Sequence, residues 1–143
     1  MAYAVRDIAG FLLGRWDIDR EIVDPNATGV FRGTAEFSRD HSIVHWVETG
    51  GLQWAGETHQ AGRRLLIAVR PDSLSTADVA FDDGRFFHRV DLAAGDDSFV
   101  HGCSPDIYTG SWVVESQDNF RVCWAVEGPA KRFTIATSYR RTD

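Results

Sequence analysis

The chain has 143 residues, 43% apolar and 25% charged, which fits one folded domain over residues 1–143 and excludes a disordered, collagen-like or disulfide-scaffold chain. With 15 Lys+Arg against 21 Asp+Glu, a formal net charge of -6 and no cationic cluster to attract a phosphate backbone, no nucleic acid is expected as a partner. The longest apolar run, residues 9–14, is too short to cross a bilayer and no cationic leader opens the chain, so neither membrane nor secretion is expected, and Cys103 and Cys123 read as reduced thiols of a bacterial-type cytoplasmic protein.

Asp7 can cap a helix over residues 8–13 that Gly14 stops, and so short a helix must dock Ile8, Phe11 and Leu12 on something apolar. From Trp16 the period becomes two. Trp16, Ile18 and Ile22 alternate with Asp17, Asp19 and Glu21, the pattern of a half-buried strand, and Asp24-Pro25-Asn26 then turns the chain. Further strands are predicted over residues 29–38, 42–52, 64–69, 75–81, 85–92, 98–101, 107–115, 120–127 and 133–141. Their breaks carry Arg39-Asp40, Pro71-Asp72, Asp82-Asp83-Gly84, Ala94-Gly95-Asp96, Ser104-Pro105, Asp118-Asn119 and Gly128-Pro129. Residues 54–63 read as a longer loop or a broken strand. About ten short strands without intervening helices predict an antiparallel meander, closed as a barrel or folded as a sandwich.

Two hairpins can be registered. A four-residue loop over 93–96 sets Leu92 opposite Asp97, Val90 opposite Phe99 and His88 opposite His101, placing Phe86, His88, Val90, Phe99, His101 and Cys103 on one face. A three-residue loop over 117–119 sets Val114 opposite Val122 and Trp112 opposite Trp124, with Gly110, Tyr108 and Asp106 following on that face. Both faces are apolar and end in polar groups, as the lining of a barrel with a site at one end would be.

The short helix running into Gly14-Arg15-Trp16 resembles the calycin signature of lipocalins and their relatives. The resemblance implies that the Trp closes one end of the barrel under an Arg from the last strand. Arg140 and Arg141 are the candidates, and Arg141 is favoured because it shares parity with Phe133, Ile135 and Tyr139. From about Asp7 to Arg141 the chain is similar to an uncharacterised family of small bacterial lipocalin-like proteins, a domain of unknown function. That similarity lies in Phe11-Leu12-Leu13-Gly14-Arg15-Trp16, Phe31-Arg32-Gly33-Thr34-Ala35-Glu36-Phe37, Asp83-Gly84-Arg85-Phe86-Phe87-His88, the run from His101 to Gly110 and the run from Trp124 to Lys131. It implies an all-β, antiparallel up-and-down barrel of about 8–10 strands with a short N-terminal helix. It brings no established reaction, and residues 54–72 depart from the family's pattern.

His88, His101, Asp106 and Tyr108 are the candidate catalytic groups: a His moves protons near neutral pH, an Asp orients it, and a Tyr donates to a carbonyl or oxyanion. The plain alternative is a hydrogen-bonded barrel end in which they satisfy turn backbone. A metal set of His88, His101, Cys103 and Asp106 matches no strong spacing, and no haem-attachment motif is present, so neither metal nor cofactor is expected. Cys103 is a nucleophile only with a base in reach, and an inert buried thiol is the better reading. Arg85, Arg32 and Lys131 are candidates for a ligand carboxylate, each against a solvated-turn reading. Phe86, Phe99, Cys103, Trp112 and Trp124 are the candidate ligand-lining side chains with Arg85. With 12% aromatic residues the chain can line a pocket as readily as fill a core. The expected function is a barrel that binds a small, mostly apolar ligand with a polar or acidic group. A cofactor-independent enzyme (isomerase, cyclase, hydratase or lyase) using His/Asp/Tyr chemistry and a filled structural or interaction module are the alternatives. A homodimer is compatible with each.

Overall fold

Strict alternation of apolar and polar residues leaves this chain one economical solution, a sheet whose apolar face is turned inward and closed on itself. A computed structural model describes residues 2–142, the Cys103 side chain excepted. One helix, α1 (Ile8–Leu12), precedes ten strands: β1 (Gly14–Val23), β2 (Thr28–Asp40), β3 (Ile43–Trp54), β4 (Glu57–Arg70), β5 (Ser73–Phe81), β6 (Phe86–Asp91), β7 (Asp96–Cys103), β8 (Asp106–Ser116), β9 (Asn119–Glu127) and β10 (Arg132–Thr142). All pairings are antiparallel, in the order β6-β5-β4-β3-β2-β1-β10-β9-β8-β7, so each strand lies beside its chain neighbour and β10 returns to β1. The outer strands β6 and β7 meet without a ladder among the described residues. Their seam is held by Asp91 N–H donating to Asp97 Oδ2 at 2.8 Å and by the His88 ring stacked on Phe99 at 4.5 Å. The barrel is nearly closed.

One end is plugged. Asp7 Oδ1 accepts from Gly10 N–H at 3.0 Å, starting α1, whose Ile8 and Leu12 are fully buried. Trp16 donates its indole N–H to the Leu12 carbonyl and stands edge-on to Phe120, with ring centroids 4.8 Å apart. Arg141 covers it, 4.1 Å above the ring, and donates to the carbonyls of Phe11, Leu13 and Gln117. Of the two candidate arginines, Arg141 takes this place; Arg140 reaches outward to Asp17. The N-terminal segment crosses the same end, Tyr3 and Val5 N–H donating to the carbonyls of Val114 and Leu92. The turns after β1, β3, β5, β7 and β9 surround the opposite end, the mouth.

The predicted pairing of Leu92 with Asp97, Val90 with Phe99 and His88 with His101 is not formed, since β6 and β7 share no ladder among the described residues, and three further expectations change. Residues 54–63 are neither a loop nor a broken strand: β3 and β4 continue through them around a tight turn at Ala55 and Gly56, both with positive φ (51° and 82°). An Ala in the left-handed region hides a turn that Asn-Gly would have announced. The β8–β9 hairpin turns on two residues with a bulge near Glu115, so Val114 faces Phe120, Trp112 faces Val122 and Gly110 faces Trp124. That is a two-residue slip from the predicted register, which keeps every side chain on its expected face. In β6 a bulge opposite Val79 and Ala80 turns both Phe87 and His88 inward and sends Phe86 out, 56% exposed.

Candidate ligand-binding site

Halfway up the barrel, the inward parity of four strands delivers polar groups among apolar ones. Trp16 and Ile18 on β1 are followed inward by Arg20; Val44 and Trp46 on β3 by Glu48; Leu65 on β4 by Arg63, directly opposite Glu48. On β10, Thr137 and Tyr139 occupy the same face. Glu48 is 1% exposed and accepts from all sides. Its Oε1 receives Arg63 Nε at 2.7 Å and Arg20 Nη2 at 2.8 Å, and its Oε2 receives Trp46 Nε1 at 3.0 Å and the Tyr139 hydroxyl. Arg20 also donates through Nε to Thr137 Oγ1 at 2.8 Å.

Burial on its own would push the Glu48 carboxyl up, but Arg63, Arg20 and the donated Tyr139 hydrogen bond hold it below the ordinary carboxylate range. Burial and the adjacent Glu48 charge push the Tyr139 phenol up, fixing it as a donor. Burial disfavours the Arg63 cation too, yet Glu48 more than offsets this and raises its pKa. The network therefore holds two guanidiniums against one carboxylate, a net positive charge inside an acidic protein. Arg63 uses only Nε on Glu48 among the described hydrogen bonds, lies 5.4 Å over the Trp46 ring and keeps 38% of its side chain accessible. Tyr139 lies close enough to add to the stabilisation of the Arg63 cation.

Above this floor stand the aromatics. Phe87 and Trp124 stack at 4.7 Å and 13°, and His88 lies between Phe99, stacked at 4.5 Å, and Trp112, whose indole N–H it accepts at Nε2 over 3.2 Å. Burial, then the Arg63 and His101 charges, lower the His88 pKa to about 3, so the ring is neutral. Its Nδ1 is buried without a partner. Gly110 makes the wall possible, because a Cβ there would fall 2.5 Å from the Phe99 ring and 2.6 Å from Trp124. Phe31 and Trp124 are buried, whereas the inward-facing Leu52, Ala61, Phe81, Phe99, Tyr108 and Ile135 are only partly so. These partly exposed side chains lie on the mouth side of the ionic network.

The predicted residues divide. His88, Phe99 and Trp124 pack together on the inward face of the barrel. Trp112 lies wholly buried beneath His88 as its hydrogen-bond donor and not as an open wall. His101 and Tyr108 sit higher, 5.9 Å ring to ring, and Phe87 separates His101 from His88, which the expected direct pairing did not allow for. Asp106 is at the rim, 3.4 Å from Lys131. Arg85 lies on the outside of the β5–β6 turn with Asp83, and Arg32 near Asp19 on the outer face. Phe86 points to solvent, and the Cys103 side chain lies outside the described residues. Among the described residues no three His, Cys, Asp or Glu side chains converge to hold a metal ion. The groups that sequence reasoning passed over are Arg20, Trp46, Glu48, Arg63, Thr137 and Tyr139. For Arg20 and Glu48 the signal was present: charged residues at the inward parity of otherwise apolar strands.

The fold has solved counterparts. An S-type phycobiliprotein lyase from Guillardia theta aligns over 99% of this chain and 94% of its own, with a TM-score of 0.62 at 7% identity. A redesigned β-barrel, mFAP1, bound to DFHBI, aligns over 96% of this chain and 100% of its own, with a TM-score of 0.53 at 14% identity. A de novo designed fluorescence-activating β-barrel does so over 96% and 100%, with a TM-score of 0.53 at 19% identity. At such identities the likeness is one of fold alone. No functionally curated protein matches the chain. The profile of a family of unknown function, DUF6314, matches residues 12–141, and the chain belongs to that family.

Proposed function

We propose that this protein binds a small, mostly apolar ligand inside the barrel and holds the ligand's acidic group at Arg63. The observation that carries this is the Arg63 guanidinium, tied by Nε to buried Glu48 and lying over the Trp46 ring while 38% of its side chain stays accessible. The surplus positive charge of the Arg20–Glu48–Arg63 network favours an anion, and the planar fork suits a carboxylate. The plug of Trp16 under Arg141 supports a lipocalin-like type, with one end sealed and the other left for entry. The mFAP1 barrel, which holds DFHBI, agrees with small-molecule binding in such a shape.

Acid–base catalysis by His88 is the weaker reading. A ring that stays neutral to a pH of about 3 and has Nε2 occupied by Trp112 is a poor proton acceptor at neutral pH. Asp106, tied to Lys131 at the rim, is not its partner.

Calorimetry with fluorene carboxylate and the matching neutral fluorenyl alcohol tests the proposal. The acid is expected to bind at least about tenfold more tightly than the alcohol, and Arg63→Gln to erase that difference. Equal affinities for acid and alcohol, or an unchanged preference in a folded Arg63→Gln protein, would overturn it.

A further inference from the structure

We propose that His88 is a specificity-determining residue whose Nδ1–H donates to an uncharged, carbonyl-type oxygen of the ligand, so that the ligand is an aromatic acid carrying a second acceptor. This rests on the acid-binding reading and adds a second contact to it. An indole N–H only donates, so the Trp112 bond at 3.2 Å obliges His88 Nε2 to accept. In a neutral imidazole the proton is then on Nδ1. His88 is 4% exposed, and Nδ1 has no protein partner. Nδ1–H is thus a buried donor without a protein partner, a group that costs stability until an acceptor reaches it.

The surroundings indicate what the donor meets. His88 faces inward beside Val79, Phe99 lies flat on its ring at 19°, and Phe87 and Trp124 stand edge-on to it at 4.7 and 5.2 Å. These are walls for a flat conjugated molecule. Phe99, itself partly accessible, covers the His88 ring, so the ligand oxygen reaches Nδ1 as the Phe99 ring turns toward the mouth. Arg63, opposite Glu48, and His88, opposite Val79, both lie on the inward face of the barrel. A cationic or purely hydrocarbon ligand would use neither. A carboxylate taken by Arg63 leaves His88 for a ketone, lactone or amide oxygen elsewhere on the ligand.

The test uses isomeric fluorenone monocarboxylates, each paired with the fluorene carboxylate that lacks only the ketone oxygen. Calorimetric affinities are measured for the wild-type protein and His88→Phe. For at least one isomer the wild type is expected to favour the ketone about tenfold, and His88→Phe to lose that preference while still binding the fluorene acid. In the wild type, the Nδ1–H proton resonance is expected to shift on adding the ketone and not on adding its partner. That signal decides the matter even if His88→Phe does not fold. Fluorene acids that bind with no ketone preference for any isomer, a preference that survives in His88→Phe, or an Nδ1–H signal indifferent to the ketone would overturn the role of His88 and leave the acid site standing. Failure of every acid to bind would overturn both.

Discussion

Replacing Glu48 by Gln changes almost no volume and removes one charge. In the folded protein that charge is 1% exposed and bonded to Arg20, Arg63, Trp46 and Tyr139. The glutamine presents an NH2 where two donors converge, and Arg20, whose side chain is 10% exposed, loses its counterion in a place water barely reaches. Breaking a buried ion pair costs about 3–5 kcal/mol. The Arg63 half counts for less, since its side chain is 38% accessible and solvent screens it. The Tyr139 hydroxyl can turn and accept, recovering part of the loss. The sum is roughly 3–5 kcal/mol, a large share of the 5–15 kcal/mol by which a domain of this kind is usually stable. Urea unfolding followed by tryptophan fluorescence measures it, as a lower midpoint with unchanged slope. A loss below about 1 kcal/mol would refute the view that Glu48 organises a buried ionic network.

Acid should weaken the fold in two separable stages. His88 has its pKa lowered from 6.5 to about 3, so its neutral form contributes stability above pH 6.5 that is lost as pH falls toward 3, at up to about 1.4 kcal/mol per pH unit. Glu48, also lowered, contributes above its ordinary value of 4.5 and is lost only below that. Between pH 6.5 and 5 the stability of His88→Phe is therefore expected to fall by about 2 kcal/mol less than that of the wild type in urea titrations; parallel curves would contradict the assignment. Arg141→Ala removes the cover of Trp16 and three carbonyl partners, and is expected to cost roughly 2–3 kcal/mol in thermal or urea unfolding while leaving fluorene-acid affinity unchanged. A change in affinity without a loss of stability would contradict its place in the plug.

Alternation made the barrel legible, because a period of two reports which face is buried whatever the exact pairing. Hence the two-residue slip at Trp112 and Trp124 did not disturb their inward placement. Bulges are different. The extra residue in β6 moved Phe86 out and Phe87 in, and nothing in Arg85-Phe86-Phe87-His88 signals that, since both phenylalanines suit either face. The Ala55-Gly56 turn was hidden by a residue that seldom takes a positive φ, which obscured the start of β4 and with it Arg63. Arg20, Glu48 and Tyr139 lie far apart in sequence and meet only through strand register, so single-strand patterns marked Arg20 and Glu48 as exceptions without revealing the network they form with Tyr139. His88 was legible as chemistry, but its role as a fixed donor depends on Trp112, 24 residues away.

A crystal structure of the protein with fluorene carboxylate bound tests the interior acid site most directly. The expected result is the ring system among Phe87, Phe99 and Trp124 with the carboxylate within hydrogen-bond distance of the Arg63 guanidinium. The contradicting result is the acid lodged instead in the outer cleft of about 490 Å³ between Asp24-Pro25-Asn26 and the turn from Gly128 to Phe133, with the barrel interior unchanged.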